Sequence, residues 1–198
     1  MASIVVINFM SLDGVVQAPL RADEDTDGGF AHGGWTDPYQ DETVGAFMGG
    51  ATARAAGLLL GRRTYENFVT DWMQPDATDP AIVAMNRMPK YLVSRTLTDP
   101  VWHNTIRLGP DLPAEVRRLR AEADGEIVVF GSTELVRALH RDDLVDEYRL
   151  LIFPVLLGGG KRMFDEGAGL ARFELADSVI SDSGVTINCY RRDRSDSR

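Results

Sequence analysis

The sequence predicts an α/β protein with a mostly parallel central sheet, helices on both faces and an antiparallel edge at its carboxyl-terminal end. Three observations carry this expectation. Short β-branched apolar runs alternate with segments of helical period as far as Glu147, the pattern of parallel strands joined by crossover helices. The first run, Ile4-Val5-Val6-Ile7-Asn8-Phe9-Met10, is apolar on both parities, as a strand covered on both faces must be. The chain then ends in strands alone: Phe173 to Ile180 and Val185 to Tyr190 flank Ser181-Asp182-Ser183-Gly184, a hairpin signal.

The elements follow in order. After the first strand, Ser11-Leu12-Asp13-Gly14 turns the chain. From Gln17 to Pro38 the sequence is rich in Asp and Gly and has no period. A loop of that length is usually functional or mobile. From Tyr39 the pattern is helical: Val44, Phe47, Met48, Ala51 and Ala55 fall on one face, with Gly57 as the expected C-cap. Leu58-Leu59-Leu60 is a buried strand, Thr64 to Asp71 a short helix, and Pro75 to Pro80 a loop. Lys90 to Ser94 is the next strand, with a further one at Thr105 to Leu108. Asp111 and Pro113 open a helix in the order of a capping residue and a first-turn proline, with Val116, Leu119 and Ala123 as its apolar stripe. Ile127 to Phe130 is a buried strand that leads through Gly131-Ser132 into a helix carrying Leu135, Val136 and Leu139. Glu147 to Phe153 is a strand ended by Pro154. Residues 1–192 read as one domain, and 193–198 as a polar tail that frays.

Composition narrows the function. The chain has 198 residues, 44% hydrophobic and 26% charged, with 21 Lys and Arg against 30 Asp and Glu, for a net charge of −9. An acidic surface repels nucleic acid and anionic membranes, so neither is expected as a partner. Any anionic ligand needs a local basic cluster. The single cysteine, Cys189, excludes an internal disulfide and a cysteine-based zinc site, and reads as core. His32, His103 and His140 lack ligand spacing, so no metal is expected. With no basic segment followed by an apolar core at its start, and no apolar run near the roughly 18 residues of a membrane span, the chain reads as cytoplasmic.

Several familiar motifs are absent. There is no G-x-G-x-x-G and no G-x-S-x-G. Gly158-Gly159-Gly160-Lys161 fails as a phosphate loop because Val155 stands at the first glycine position and Arg162 follows the lysine; it reads as a bend or bulge. Three strand ends remain, and ligands of parallel sheets sit outside the carboxyl ends of strands. Gly61-Arg62-Arg63-Thr64-Tyr65-Glu66 combines two arginines, a hydroxyl and a helix start. Ser94-Arg95-Thr96 sets a hydroxyl beside a guanidinium suited to a ribose 2′-phosphate. Gly131-Ser132-Thr133 allows close backbone approach at another helix start. Taken singly, each is also explained by an ordinary solvated helix start, a loop arginine or a tight turn. Together they point to an elongated ligand with several phosphates. Two neighbouring arginines are fixed positive donors of the kind such phosphates need.

Four segments in this order and spacing resemble the dihydrofolate reductase superfamily, in the branch shared with the reductase domain of bacterial riboflavin biosynthesis. They are Ser11-Leu12-Asp13-Gly14, Gly61 to Glu66, Val128-Val129-Phe130-Gly131-Ser132, and Asp146-Glu147 through Pro154 to Gly160. The likeness spans about residues 2 to 192. It implies that family's three-layer fold, NADPH as hydride donor, a flat heterocyclic or carbonyl substrate of pterin, pyrimidine or flavin-precursor type, and a homodimer. Carried over by motif, Gly61, Arg62, Arg63 and Thr64 hold the pyrophosphate and 2′-phosphate side of the cofactor. Ser94 and Arg95 flank its adenosine, and Gly131, Ser132, Thr133 and Leu135 pack on the pyrophosphate. Asp13, at the end of the first strand, is the expected catalytic carboxylate, with a turn residue without chemistry as the alternative. Trp35, Asp37, Tyr39 and Phe47 are the expected substrate wall, although Phe47 suits plain core better. Asp41 and Glu42 are candidates for the carboxylate that anchors folate in the family. The sequence departs from the family at Phe130-Gly131-Ser132, where dihydrofolate reductases have consecutive glycines and riboflavin reductases an acidic residue near Phe130. A dinucleotide-binding module without turnover is the alternative to an enzyme.

Overall fold

A computed structural model describes residues 1–74, 76–165 and 167–195. Its centre is an eight-stranded sheet in the order β4-β3-β2-β5-β1-β6-β8-β7. The strands are β1 Ser3–Ser11, β2 Ala55–Gly61, β3 Lys90–Val93, β4 Thr105–Arg107, β5 Glu126–Phe130, β6 Glu147–Phe153, β7 Phe173–Ile180 and β8 Thr186–Arg192. From β4 through β6 all neighbours are parallel. The β8 strand then pairs antiparallel with β6, and β7 with β8, so the hairpin forms the expected antiparallel edge. The chain lays β2 two places from β1 and later returns to fill the gap with β5. That reversal sets the carboxyl ends of β2, β5 and β1 side by side, the place where open α/β sheets bind ligands.

Among the described residues five α-helices cover the sheet: α1 Glu42–Arg54, α2 Arg62–Trp72, α3 Pro80–Arg87, α4 Leu112–Glu122 and α5 Thr133–Arg141. Alternate residues of each central strand go to opposite cores. Val5, Ile7, Leu58, Leu60, Val128 and Phe130 meet Val44, Ala51, Tyr65 and Met85 of α1, α2 and α3. Ile4, Val6, Leu59, Ile127 and Val129 meet Val116, Leu119, Val136 and Leu139 of α4 and α5. Two-sided coverage is the reason these strands are apolar on both parities.

Two elements differ from expectation. The first helix ends at Arg54, and Ala55 and Gly57 belong to β2. A Cβ on Gly57 would lie 3.0 Å from the Tyr91 ring and 3.1 Å from the Pro89 carbonyl oxygen, so glycine serves close approach to β3 there and not a helix cap. Helix α3 also lies in a stretch with no expected element, although Asp79-Pro80 was a readable start: the Asp79 carboxylate accepts from the Ala81 and Ile82 amides at 2.8 and 3.2 Å. Of the loop expected at Pro75 to Pro80, Pro75 lies outside the described residues, as do 196–198 of the expected tail. Before that point Arg194 Nη1 holds Asp146 at 2.8 Å and Arg192 holds Asp143 at 2.7 Å.

A buried polar chain fixes the start of α2. The Tyr65 hydroxyl accepts from the Trp102 amide at 2.8 Å, and the Trp102 indole donates to Asn86 at 2.7 Å. Lys90, fully buried, donates to the Met85 and Asn86 carbonyls at 3.1 and 3.0 Å and sits 4.6 Å from the Trp102 ring centre. Burial pushes the Lys90 amine down to about 8. Between that value and the ordinary lysine range, the unfolded chain holds a proton that the folded chain lacks, so unfolding becomes harder as pH rises. We expect the unfolding free energy of the wild type to gain on the order of 1–2 kcal/mol relative to Lys90→Met between pH 8 and pH 10, measured by urea titration. A constant difference between the two proteins would show that Lys90 stays charged throughout.

Candidate functional site

The carboxyl ends of the parallel strands carry the site. There Gly61, at the end of β2, donates its amide to Ser132 Oγ at 2.9 Å, and Ser132 Oγ donates to Thr64 Oγ1 at 2.7 Å. The clip joins the starts of α2 and α5. Its geometry explains both glycines: a Cβ on Gly61 would come within 3.1 Å of Ser132 Oγ, and Gly131 has φ +57°. Ser132 itself adopts φ +58°, which costs a non-glycine residue about 1 kcal/mol.

The clip has a consequence for the helices. The Asp41, Asp79 and Asp111 side chains cap α1, α3 and α4, accepting from amides of the first turn. Neither α2 nor α5 has a side-chain cap, because Gly61 has none to offer and the Ser132 hydroxyl is turned to the neighbouring strand. Two helix starts with uncapped amides therefore lie side by side, each carrying the partial positive charge of its dipole.

The expected cofactor residues gather around this point in part. Gly61, Thr64, Gly131 and Ser132 meet directly, Thr133 opens α5, and Leu135 is buried beneath, its Cβ 3.8 Å from the space a Gly61 Cβ would fill. Val93 pairs with Gly61, which brings the Ser94 turn to the next strand end. Ser94 Oγ accepts from the Thr96 and Leu97 amides at 3.2 and 2.9 Å, leaving Arg95 exposed. The two arginines part company: Arg62 pairs along its own helix with Glu66 at 2.8 Å, whereas Arg63 pairs with Asp27 and, at 3.6 Å, Asp25 of the long loop.

Asp13 lies at the end of β1, two strands from β2. Its carboxylate accepts from Ser11 Oγ at 2.7 Å, the Leu157 amide at 3.1 Å and the Gly158 amide at 3.0 Å, with Arg162 at 3.4 Å. The Ser11 hydroxyl foremost, with the two amides, holds the Asp13 carboxyl below the usual carboxylate range. Asp13 is thus an ionised brace between the Leu12–Gly14 turn and the loop after β6.

Two residues of the expected substrate wall, Trp35 and Tyr39, join an aromatic cluster around Phe153. Trp35 and Tyr39 meet its ring edge-on at 5.4 and 6.0 Å, and Phe9 joins at 5.4 Å. Trp35 is buried, and its indole donates to the Gln17 carbonyl at 2.8 Å. Phe47 is half-buried against the same core, and Asp37 is exposed. Asp41 caps α1 at the Val44 amide and also accepts from the Ser183 amide at 3.0 Å. Both backbone amides hold its carboxyl well below the ordinary range. Glu42 is exposed.

Sequence reasoning missed a cleft of about 450 Å³ between the long loop and the glycine loop, lined by Gln17, Asp27, Phe30, His32, Gly160 and Lys161 among others. Gly160, at φ +117°, is pressed so close to Phe30 and Val15 that a Cβ would lie 2.8 Å from each. The available signals were the acidic run Asp23 to Asp27, opposite in charge to the scarce basic residues, and the lone lysine of the glycine loop.

The RibD C-terminal domain model matches residues 2–187. The chain belongs to the RibD C-terminal domain family. Among solved structures, this family fold is similar to a protein provisionally ascribed to riboflavin biosynthesis from Shewanella sp. PV-4, with a TM-score of 0.73 at 21% identity over 97% of this chain and 99% of the other. It is also similar to the dihydrofolate reductase of Enterococcus faecalis complexed with NADP(H), with a TM-score of 0.61 at 11% identity over 96% of each. In sequence it is 26% identical to the uncharacterized protein YyaP of Bacillus subtilis (strain 168), over 67% of this chain and 72% of that one.

The clip can be probed without a ligand. Ser132→Ala keeps the left-handed strain and orphans the Gly61 amide, and should cost about 1–2 kcal/mol in urea unfolding. Ser132→Gly relieves the strain and should recover roughly 1 kcal/mol of that loss. Equal stability of all three proteins would show that the clip contributes nothing.

Proposed function

We propose that this protein is a reductase that binds NADPH and passes a hydride to a flat, electron-poor heterocycle or carbonyl compound. The carrying observation is the pair of uncapped helix starts joined by Gly61, Ser132 and Thr64. Adjacent amides aimed out of the carboxyl edge of a parallel sheet form a natural seat for a pyrophosphate. The residues present fit that group, because no side chain caps the first-turn amides of α2 or α5 and glycine stands at the end of each strand before them. Arg62, Arg63 and Arg95 supply the guanidinium groups a 2′-phosphate needs in an otherwise acidic chain. Family membership, and the dihydrofolate reductase solved with NADP(H), support the same reading.

The bound dinucleotide supplies the hydride, and the protein supplies orientation and charge. In this reading Gly61, Thr64, Gly131, Ser132, Thr133 and Leu135 hold the pyrophosphate region, and Ser94 and Arg95 border the adenosine. Trp35, Tyr39 and Phe47 border the substrate, with Asp37 at the rim. Asp13 acts by bracing the floor of the site. Since it is already ionised, the proton that accompanies the hydride comes from water at the substrate. The protein works as a homodimer in the cytoplasm. Among the described residues no helix is long and apolar enough to cross a membrane.

One observation favours the second reading, a binding module without turnover: the Asp13 carboxylate spends both oxygens on the protein itself. Turnover decides between them. NADPH oxidation with a panel of pterins, flavin precursors and quinones should show consumption with at least one acceptor, and Asp13→Asn should lower it strongly. Tight NADPH binding with no turnover on any acceptor establishes the module instead. For the cofactor, Arg62→Ala or Arg95→Ala should weaken NADPH more than NADH, by roughly 1–3 kcal/mol in calorimetric titration. Equal weakening of the two removes the 2′-phosphate assignment.

A further inference from the structure

The long loop and the phosphate seat share a four-charge cluster. Asp25 and Asp27 come from the loop, Arg63 from the first turn of α2, and Lys161 from the glycine loop after β6. Lys161 Nζ holds Asp27 at 2.9 Å and also binds Asp25. Arg63 pairs with the same two carboxylates. The Lys161 and Arg63 hydrogen bonds, in that order, keep the Asp27 carboxyl below its ordinary range. Gln17 stitches the arrangement: its amide nitrogen donates to the Asp25 and Asp27 carbonyls at 3.0 and 3.1 Å, and its oxygen accepts from the Lys161 amide at 2.9 Å. Asp27 and Lys161 both line the 450 Å³ cleft. One side of the cluster therefore opens on a cavity, and the other ends at a helix start with no side-chain cap.

We propose that this cluster is a latch in which Asp25 and Asp27 stand in for an anionic ligand, and that Arg63 and Lys161 are the two cations exchanged onto a phosphate group when the loop lifts. The proposal rests on the dinucleotide reading above and extends it by adding Lys161 to the site and by giving the acidic loop a regulatory part. Two carboxylates spanning two cations are matched in charge to one doubly ionised phosphate. Carboxylate and phosphate thus compete for the same donors, and a phosphate offers three acceptor oxygens against the two of each carboxylate. The exchange is close to neutral because most of these groups are part-exposed: the side chains of Arg63, Asp27 and Lys161 are 53%, 50% and 30% accessible, and Asp25 20%. Ion pairs so close to water are weak and salt-sensitive, which suits a contact made to be broken. Elsewhere the loop is tethered to α2 by Arg21 with Asp71 and by Asn67 Nδ2 on the Glu24 carbonyl at 3.3 Å. The Glu24 carbonyl that Asn67 holds lies one residue before Asp25, so lifting residues 25–27 pulls on these tethers and exposes the chain around Arg21.

The test compares wild type with Asp25→Asn/Asp27→Asn. The double variant should bind NADPH roughly three- to tenfold more tightly at low salt, the range expected from removing two competing surface carboxylates, and added salt should narrow the gap. Trypsin should cut after Arg21 several times faster in the double variant. Inorganic pyrophosphate should speed that cut in the wild type alone. Adding Lys161→Met to the double variant should return NADPH affinity toward the wild-type value. Equal NADPH affinity in wild type and double variant, unchanged cutting at Arg21, or no effect of Lys161→Met overturns the latch. Should neither protein bind NADPH while the cut still responds to the substitutions and to pyrophosphate, the latch stands and the nicotinamide reading falls.

Discussion

One hydroxyl organises the carboxyl edge of this sheet. Ser132 Oγ takes the Gly61 amide and gives its own proton to Thr64, so the turns after β2 and β5 cannot separate. The hydroxyl is consumed in doing so and caps nothing. The amides at the starts of α2 and α5 are left with their partial charges facing outward. Everything read as a phosphate seat depends on that trade, made in a backbone that bends through two left-handed residues, Gly131 and Ser132. The cost is borne by a core in which the strands on either side are fully buried on both faces.

Charge explains much of the rest. A chain with net charge −9 repels anions at long range, and its arginines are largely bound to carboxylates of its own. Arg62 has Glu66, and Arg63 has the loop. Far from the site, Arg149 on β6 reaches across β1 to Glu126 with two bonds of 2.8 and 2.6 Å and holds Glu147 at 2.6 Å. The first two pairs are exposed. The third is buried and structural, since removing one member of a buried pair leaves an uncompensated charge. Burial thus separates the cations whose pairs face water from those committed to the fold.

The loop after β1 and the loop after β6 behave as one unit. Asp13 accepts from Leu157 and Gly158, Gly160 admits Phe30, and the Lys161 carbonyl accepts from the Val16 amide at 2.9 Å. Segments more than 140 residues apart in sequence close a single wall. Glycine is needed at 160 because an aromatic ring occupies the place of its side chain.

Much of the fold was legible in local pattern. Apolar runs on both parities require two-sided coverage, alternation of strands and helices requires parallel crossovers, and Ser-Asp-Ser-Gly between two strands requires a hairpin. The same local logic marked Gly61, Ser132 and the basic pair, because strand ends with glycine, hydroxyl and helix starts have few other uses. Gly57 was misread, as a helix-ending glycine and a close-approach glycine look alike until the neighbour, Tyr91, is in place. The aromatic partners of Trp35 and Tyr39, the commitments of Asp13 and the pairing of Arg63 with Asp27 were invisible for the same reason. Sequence fixes what a residue can donate, accept or bury, whereas which partner takes the offer is decided by chain crossings that bring distant loops to one edge of the sheet.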